Sequence, residues 1–76
     1  MKVEILVNQI AEILECDPSQ LSEDTRFRDH ANWDSLRLLS TIAMIDDNYQ
    51  LVIPYSEFEK LLTVADLMRY IEENRG

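Results

Sequence analysis

The sequence predicts an all-α protein: a small four-helix bundle with three main helices, one short helix, and a long loop between helices one and two. Apolar residues recur every three or four positions in separate stretches, which is the spacing of one helical face. The run 51–53 resembles a strand, but Pro54 stops it and a lone strand has nothing to pair with. A chain of 76 residues is one small domain, so residues 1–76 are predicted to share a single thin core.

The first helix is predicted to begin at Val3 and to span about fourteen residues. Its apolar stripe is Val3, Leu6, Val7, Ile10, Ile13 and Leu14. It ends in the segment 16–19, because the residue before Pro18 is pushed out of helical geometry. Residues 17–34 are polar and rich in turn formers, which predicts a long loop with room for one short helical turn. Leu21 and Phe27 are expected to hold this loop to the core.

The second helix is predicted from about Ser35 to Tyr49, directly after a polar turn. Its apolar face is expected to be Leu38, Leu39, Ile42, Ile45 and Tyr49. Asp34 or Ser35 is placed to accept hydrogen bonds from the first exposed amides of the helix. The Ser35 hydroxyl therefore lies at the positive end of a helix, where a phosphate group is favoured.

The last third of the chain is predicted to hold the short helix, Ser56 to Leu62, and a final helix. The apolar side of the short helix is Phe58, Leu61 and Leu62. Thr63 and Asp66 fit a capping box at the start of the final helix. The buried stripe of that helix is expected to be Val64, Leu67, Met68 and Ile71, with residues 72–76 fraying into solvent.

The charge balance limits the class of partner. Fifteen Asp and Glu against seven Lys and Arg give a formal net charge of −8, which repels nucleic acids and anionic membranes and suits basic protein surfaces. No stretch is long and apolar enough for a membrane span, and the start lacks a signal peptide. Cys16 is the only cysteine, which favours a reducing compartment. We therefore expect a monomer in the cytoplasm, and the short ends favour a free-standing protein.

Catalysis and metal binding have little support in the sequence. The one histidine, His30, lies five residues before Ser35 in a polar loop, whereas serine nucleophiles need a positioned base and an oxyanion site. One His and one Cys in different segments do not give a metal site. A single Gly excludes glycine-rich phosphate loops. The sequence predicts neither an enzyme nor a metal protein.

Four segments at characteristic distances resemble a known family. The central one is Asp34-Ser35-Leu36; before it comes Leu21…Asp24-Thr25-x-Phe27, and after it come Tyr49-x-Leu51-x-Ile53-Pro54 and Thr63-Val64-x-Asp66-Leu67. Together they resemble the acyl carrier proteins, and the resemblance runs from the first helix to about Ile71. Any three-residue string recurs by chance, so the flanking segments carry the resemblance as much as the serine does.

The resemblance implies a carrier rather than a catalyst. A phosphopantetheinyl transferase would place 4′-phosphopantetheine from coenzyme A on Ser35. The arm would hold acyl or aminoacyl intermediates as a thioester and present them to enzymes of fatty acid, polyketide or related biosynthesis. Asp34 would either cap the helix or hold a metal ion or water for the transferase. The alternative function is an acidic helical protein–protein interaction domain of the same fold without a prosthetic group.

The resemblance also implies a docking surface for loading and processing enzymes that carry basic patches. Leu36 would lie at the partner surface, and the acidic residues that would extend it are Asp46, Asp47, Glu57 and Glu59. Arg37 stands where an acid is usual, Ser40 where a Glu is usual, and Trp33 where a Gly is common. Either Arg37 sets partner specificity in a specialised carrier, or it is a solvated residue paired with a neighbouring acid.

Two further questions stay open at this level. Trp33 either covers the base of the prosthetic arm or fills a gap between the loop and helix two. A core lined by Leu39, Ile42, Ala43, Leu62 and Met68 could open to admit an acyl chain, but short, polar or aminoacyl cargo is equally compatible.

Overall fold

The computed structural model describes residues 2–75 and contains four α-helices. Their bounds are Val3–Leu14 (α1), Ser35–Tyr49 (α2), Tyr55–Phe58 (α3) and Val64–Asn74 (α4). The loop between α1 and α2 holds two short 3₁₀ turns, Pro18–Gln20 and Phe27–Asp29, where the sequence predicted room for one. No strand occurs among residues 2–75, and residues 51–54 form an extended connector. The predicted all-α, four-helix class is confirmed.

Two residues in the left-handed region end the first two helices. Glu15 has φ 55° and follows the last residue of α1, and Gln50 has φ 51° and follows the last residue of α2. The Gln50 N–H donates to the Asp46 carbonyl at 3.0 Å, so the reversal satisfies a helix-end acceptor. Because neither residue is glycine, each reversal costs about 1–2 kcal/mol of backbone strain. The first reversal ends α1 slightly earlier than the predicted fourteen residues.

The core lies where α1, α2 and α4 meet under the loop, the connector and α3. Its fully buried side chains are Leu6, Ile10, Leu14, Phe27, Ile45, Ile53, Phe58, Val64, Leu67 and Ile71. The predicted anchor Phe27 has no exposed surface, whereas Leu21 is half-buried against the core. Every helix and both long connections contribute to this core, so burial joins segments that are distant in sequence.

The buried face of α2 differs from the predicted one. Its buried residues are Thr41, Ile45 and Tyr49, which follow one another at intervals of four. Leu39 is 63% exposed, so its placement in the core was wrong. Two residues at 100° each separate Leu39 from Thr41, which places Leu39 on the opposite side of the helix. Thr41 tolerates burial because its hydroxyl donates to the Arg37 carbonyl at 2.8 Å.

The lengths of the last two helices also differ from the prediction. The short helix begins at Tyr55 and ends at Phe58, and Leu62 is 42% exposed rather than part of the core. α4 begins at the predicted capping box and continues to Asn74. The expected fraying from residue 72 is therefore wrong for residues 72–74, and Gly76 lies outside the described residues.

Candidate functional site

Asp34 starts α2 as an N-cap. Its backbone is extended, and its Oδ1 accepts a hydrogen bond from the Arg37 N–H at 2.9 Å. This backbone hydrogen bond is the main reason why the pKa of Asp34 is lowered below its ordinary value, because it stabilises the carboxylate form. Of the two roles considered for Asp34, helix capping is the one visible in the structure.

The segment before the cap is tied down by its own hydrogen bonds. The Asn32 side-chain amide donates to the Leu14 carbonyl at 2.9 Å, which joins the loop to the end of α1. The Asn32 N–H donates to His30 Nδ1 at 3.0 Å, and the Trp33 N–H donates to the His30 carbonyl at 3.0 Å. His30 is therefore engaged in the loop rather than placed beside Ser35 as a base.

Ser35 is the first residue of α2 and is exposed to solvent. Within residues 2–75 its hydroxyl makes no hydrogen bond, and the next residue, Leu36, is 65% exposed. The hydroxyl is therefore accessible to another protein and has no neighbouring base that would activate it. This arrangement suits a serine that is modified by an external enzyme.

Arg37 connects the start of α2 to the end of α1. Its Nη1 lies 2.9 Å from Asp34 Oδ2 and its Nη2 lies 3.7 Å from Glu15 Oε1, with 24% of the side chain exposed. A carboxylate beside Ser35 would repel a phosphate, but the guanidinium offsets the charge of Asp34. Arg37 is thus paired with neighbouring acids, as one of the two hypotheses stated, but its side chain is mostly buried rather than solvated. The contact with Glu15 was missed, because the left-handed turn that brings Glu15 near α2 has no sequence signal such as glycine.

Four residues of the loop and α3 form a group that we call the aromatic clamp: Phe27, Arg28, Trp33 and Phe58. The ring centroids of Trp33 and Phe58 are 6.4 Å apart with planes inclined by 7°, and Trp33 meets Phe27 edge-on at 5.2 Å. Trp33 therefore packs between the loop and α3, whereas the packing role predicted for it was between the loop and helix two. The ring fills the space in which a smaller residue would leave a cavity.

Arg28 contacts both phenylalanines of the aromatic clamp and the end of α3, and this role was not predicted from the sequence. Its Nη2 donates to the Phe58 carbonyl at 2.7 Å and its Nη1 to the Glu59 carbonyl at 2.8 Å. The guanidinium carbon also lies 5.7 Å and 5.4 Å from the ring centroids of Phe27 and Phe58. The only available signal was an arginine next to an apolar anchor, which does not indicate which carbonyls it will reach.

The acidic residues predicted to dock partners lie along the later part of α2 and around α3. Asp46, Asp47 and Glu59 are exposed, whereas Glu57 is half-buried and accepts a hydrogen bond from Lys60 at 3.0 Å. On α2, Leu36 and Leu39 are both more than half exposed. The surface thus combines exposed apolar residues near Ser35 with carboxylates farther along.

The described part of the chain offers neither a cluster of metal ligands nor a membrane-spanning helix. Residues 2–75 contain no group of three or more His, Cys, Asp or Glu side chains that could hold a metal ion. None of the helices described within that range has the length and apolar character needed to cross a bilayer.

A helical bundle with an accessible, unactivated serine at the start of its second helix has the form of a carrier domain, a protein modified and used by other enzymes. Comparison with known proteins agrees. A family model described as "Phosphopantetheine attachment site" matches residues 4–71. The acyl carrier protein of Wolinella succinogenes is 32% identical over 66 residues, which is 87% of each chain.

Two further relatives extend the match. The acyl carrier protein of Lactobacillus acidophilus is 34% identical over 67 residues, 88% of this chain and 84% of the relative. That of Brachyspira hyodysenteriae is 37% identical over 59 residues, 78% of this chain and 76% of the relative. The chain belongs to the acyl carrier protein family, and its role is that of a carrier rather than an enzyme. Its prosthetic group is 4′-phosphopantetheine.

Proposed function

We propose that Ser35 is the attachment residue and that the chain delivers acyl or aminoacyl intermediates to enzymes of fatty acid, polyketide or related biosynthesis. The observation that carries the proposal is the exposed Ser35 hydroxyl, which has no hydrogen-bond partner within residues 2–75 and lies in the Asp34-Ser35-Leu36 segment. In the transfer, Ser35 Oγ loses its proton and forms the phosphodiester bond, and the nucleotide part of coenzyme A leaves. A phosphopantetheinyl transferase must supply the base, because the residues around Ser35 do not.

The residues around Ser35 fit this group. The start of α2 has a positive electrostatic potential, and Arg37 pairs with Asp34, so a second negative charge beside Asp34 is less strongly repelled. The cap also fixes the first turn, so the Oγ atom is held at a defined place on the surface. Once bound, the prosthetic group supplies a flexible thiol that holds an acyl group as a thioester.

The acidic surface supports docking to basic patches on partner enzymes. We propose that Leu36 makes the apolar contact beside the attachment residue, and that the carboxylates that add electrostatic attraction are Asp46, Asp47, Glu57 and Glu59. Arg37 pairs with Asp34 and Glu15, so a basic residue of a partner is attracted less strongly to the first turn of α2 than it would be to an acid at this position. We therefore propose a specialised carrier, and an unimpaired transfer of malonyl groups by a standard fatty-acid malonyl transferase would contradict this.

Location and organisation are part of the same proposal. The fully buried core takes residues from every helix, which supports residues 1–76 acting as one carrier domain. Cys16 is the only cysteine, which supports a reducing compartment, and we place the carrier in the cytoplasm.

The decisive experiment is co-expression with a phosphopantetheinyl transferase followed by intact-mass measurement. The wild-type chain and Ser40→Ala should both gain the mass of one phosphopantetheine, and Ser35→Ala should not. Ser40 is a matched control because it is an exposed serine on the same helix. A chain that stays unmodified after treatment with several transferases would instead support the interaction domain without a prosthetic group. Modification of Ser35→Ala would show that the arm is attached elsewhere.

A further inference from the structure

The size of the cargo depends on whether a chain attached at Ser35 can enter between the helices. On the α3 side of Ser35, an acyl chain would have to pass the aromatic clamp to reach the core. Phe27 and Phe58 have no exposed surface, and the stacked Trp33 ring lies against Phe58 on the side of the loop that leads to Ser35. Ile45 and Ile53 belong to the same buried cluster as Phe27 and Phe58, and they are also completely or almost completely buried. The space that a chain would need is occupied by side chains.

Opening the clamp requires α3 to separate from the loop. The two hydrogen bonds from Arg28 end on the carbonyls of Phe58 and Glu59, at the end of α3. Both bonds, and the contact of the guanidinium with the Phe58 ring, would break in that movement. Because the donor is charged, these bonds are stronger than bonds between neutral groups. The clamp therefore opposes the movement that would admit a chain.

The pocket left on this side is small. It is lined by Arg28, Trp33, Leu38, Tyr55 and Glu59 and has a volume of about 150 Å³. A volume of about 150 Å³ matches a molecule the size of benzene, but the charged Arg28 and Glu59 are among the residues that line this pocket. Leu38 lies one helical turn after Ser35, so the pocket is within reach of an arm attached there. It can receive a small group but not a long acyl chain.

A larger groove on the other side of α2 does not offer an alternative. It lies between α1 and α2 and has a volume of about 560 Å³. Most of its lining residues are polar or charged: Gln9, Glu12, Glu15, Arg37, Ser40 and Asn48. Its apolar residues are Ile13, Leu36 and Met44, and an alkyl chain lying against them would also border the charged groups of the lining.

We propose that the aromatic clamp closes the core of this carrier to a tethered acyl chain, and that its cargo is a small acyl or aminoacyl group that stays outside the helices. This inference rests on the attachment of the arm to Ser35. It assigns to Arg28 and Trp33 a role in specificity that is separate from attachment and docking.

The test compares the reactivity of two thioesters on the complete chain. The transferase loads the protein from acetyl-coenzyme A or from octanoyl-coenzyme A, intact mass confirms each product, and the rate of cleavage by hydroxylamine is measured. A chain that spends nine-tenths of its time inside the helices reacts about tenfold more slowly than an exposed one. We expect the octanoyl and acetyl forms of the wild-type protein to react within about twofold of each other.

Arg28→Ala and Arg26→Ala provide matched variants. Arg26 is in the same loop and carries the same charge, but its side chain is 61% exposed and pairs only with Asp29 among the bonds described for it. We expect the octanoyl form of Arg28→Ala to be protected relative to its acetyl form, and Arg26→Ala to behave as wild type. Equal reactivity of both forms in folded Arg28→Ala would show that the clamp is not what closes the core.

The outcomes separate the two proposals. A wild-type octanoyl form that reacts about tenfold more slowly than the acetyl form overturns the closed core and leaves Ser35 attachment intact. Failure of the transferase to modify Ser35 overturns both, since the inference depends on that attachment. The wild-type comparison is decisive even if Arg28→Ala does not fold.

Discussion

The substitution Arg28→Ala should destabilise the fold far more than the position of Arg28 on a polar loop suggests. The variant loses a hydrogen bond of 2.7 Å to the Phe58 carbonyl, a bond of 2.8 Å to the Glu59 carbonyl, and the contacts with two buried rings. A hydrogen bond to a charged group contributes about 1.5–3 kcal/mol, and an exposed cation–π contact about 0.5–1 kcal/mol. The Glu59 bond is exposed and these contributions are not additive, so we expect a loss of about 2–4 kcal/mol.

A loss of that size is a large part of the total free energy of unfolding. A domain of this size without disulfides or metals is stable by only about 3–5 kcal/mol. Since each kcal/mol shifts the melting temperature of so small a domain by about 4–8 °C, the expected decrease is roughly 8–30 °C. Arg28→Lys should recover only part of the lost stability, because one ammonium group cannot bond both carbonyls as the planar guanidinium does.

The assay is urea unfolding followed by circular dichroism at low temperature, where the variant retains a folded baseline. The midpoint should fall while the denaturant slope stays constant, as expected when only native-state contacts are lost. Arg26→Ala is the control, and its effect should be within about 0.5 kcal/mol because it breaks one exposed ion pair. Equal midpoints for Arg28→Ala and Arg26→Ala would contradict this prediction, since they would mean that the clamp contributes nothing to stability.

Three further predictions concern the helix caps and the contact between α1 and α2. Thr63→Ala should lower the free energy of unfolding by about 1 kcal/mol in the same urea assay and Thr63→Ser by much less, because only a hydroxyl completes the capping box. The pKa values of Asp34 and Asp66 are lowered below 3.8, mainly by backbone N–H donors. The contribution of these two carboxylates to the free energy of unfolding is therefore complete above that pH and is lost as the pH falls through their lower native pKa values. Acid titration should therefore show stability falling below about pH 4, and a stability that rises with acidification there would contradict the assignment. Tyr49→Phe should lower the free energy of unfolding by about 1 kcal/mol, because the Tyr49 hydroxyl donates to Gln9 Oε1 at 2.5 Å and so joins α2 to α1. An unchanged urea midpoint would show that hydrogen bonds to water replace this bond without loss of stability.

Local signals were sufficient for α2 and for the start of α4, where the cap and its partners are close in sequence. The bounds of α2 and the capping box of α4 follow the prediction, because a cap and its amides lie within three residues of each other. Asp34 and Ser35 were found for the same reason: a polar turn followed by a helical apolar period identifies a helix start. The serine at that start is the basis of the carrier proposal, and the family match supports it independently.

Apolar period alone could not choose between two adjacent stripes on α2. Leu38 and Ile42 lie on one stripe, and Leu36 and Leu39 on the next, so the sequence permits either to face inward. Leu39 was assigned to the core, but the buried side of α2 contains Thr41 and leaves Leu39 exposed. The choice depends on where the other helices pack, which is not encoded in the spacing of α2 itself.

The all-α class and the start of α2, with the serine that we propose is modified there, could be predicted from the sequence, because capping and helical periodicity act over a few residues. The pairing of Arg37 with Glu15 and the closure of the aromatic clamp depend instead on how distant segments pack. Arg28 and Phe58 are 30 residues apart, and no local rule brings them together. Their contact exists because burial of Phe27 and Phe58 in one core places the guanidinium at the end of α3.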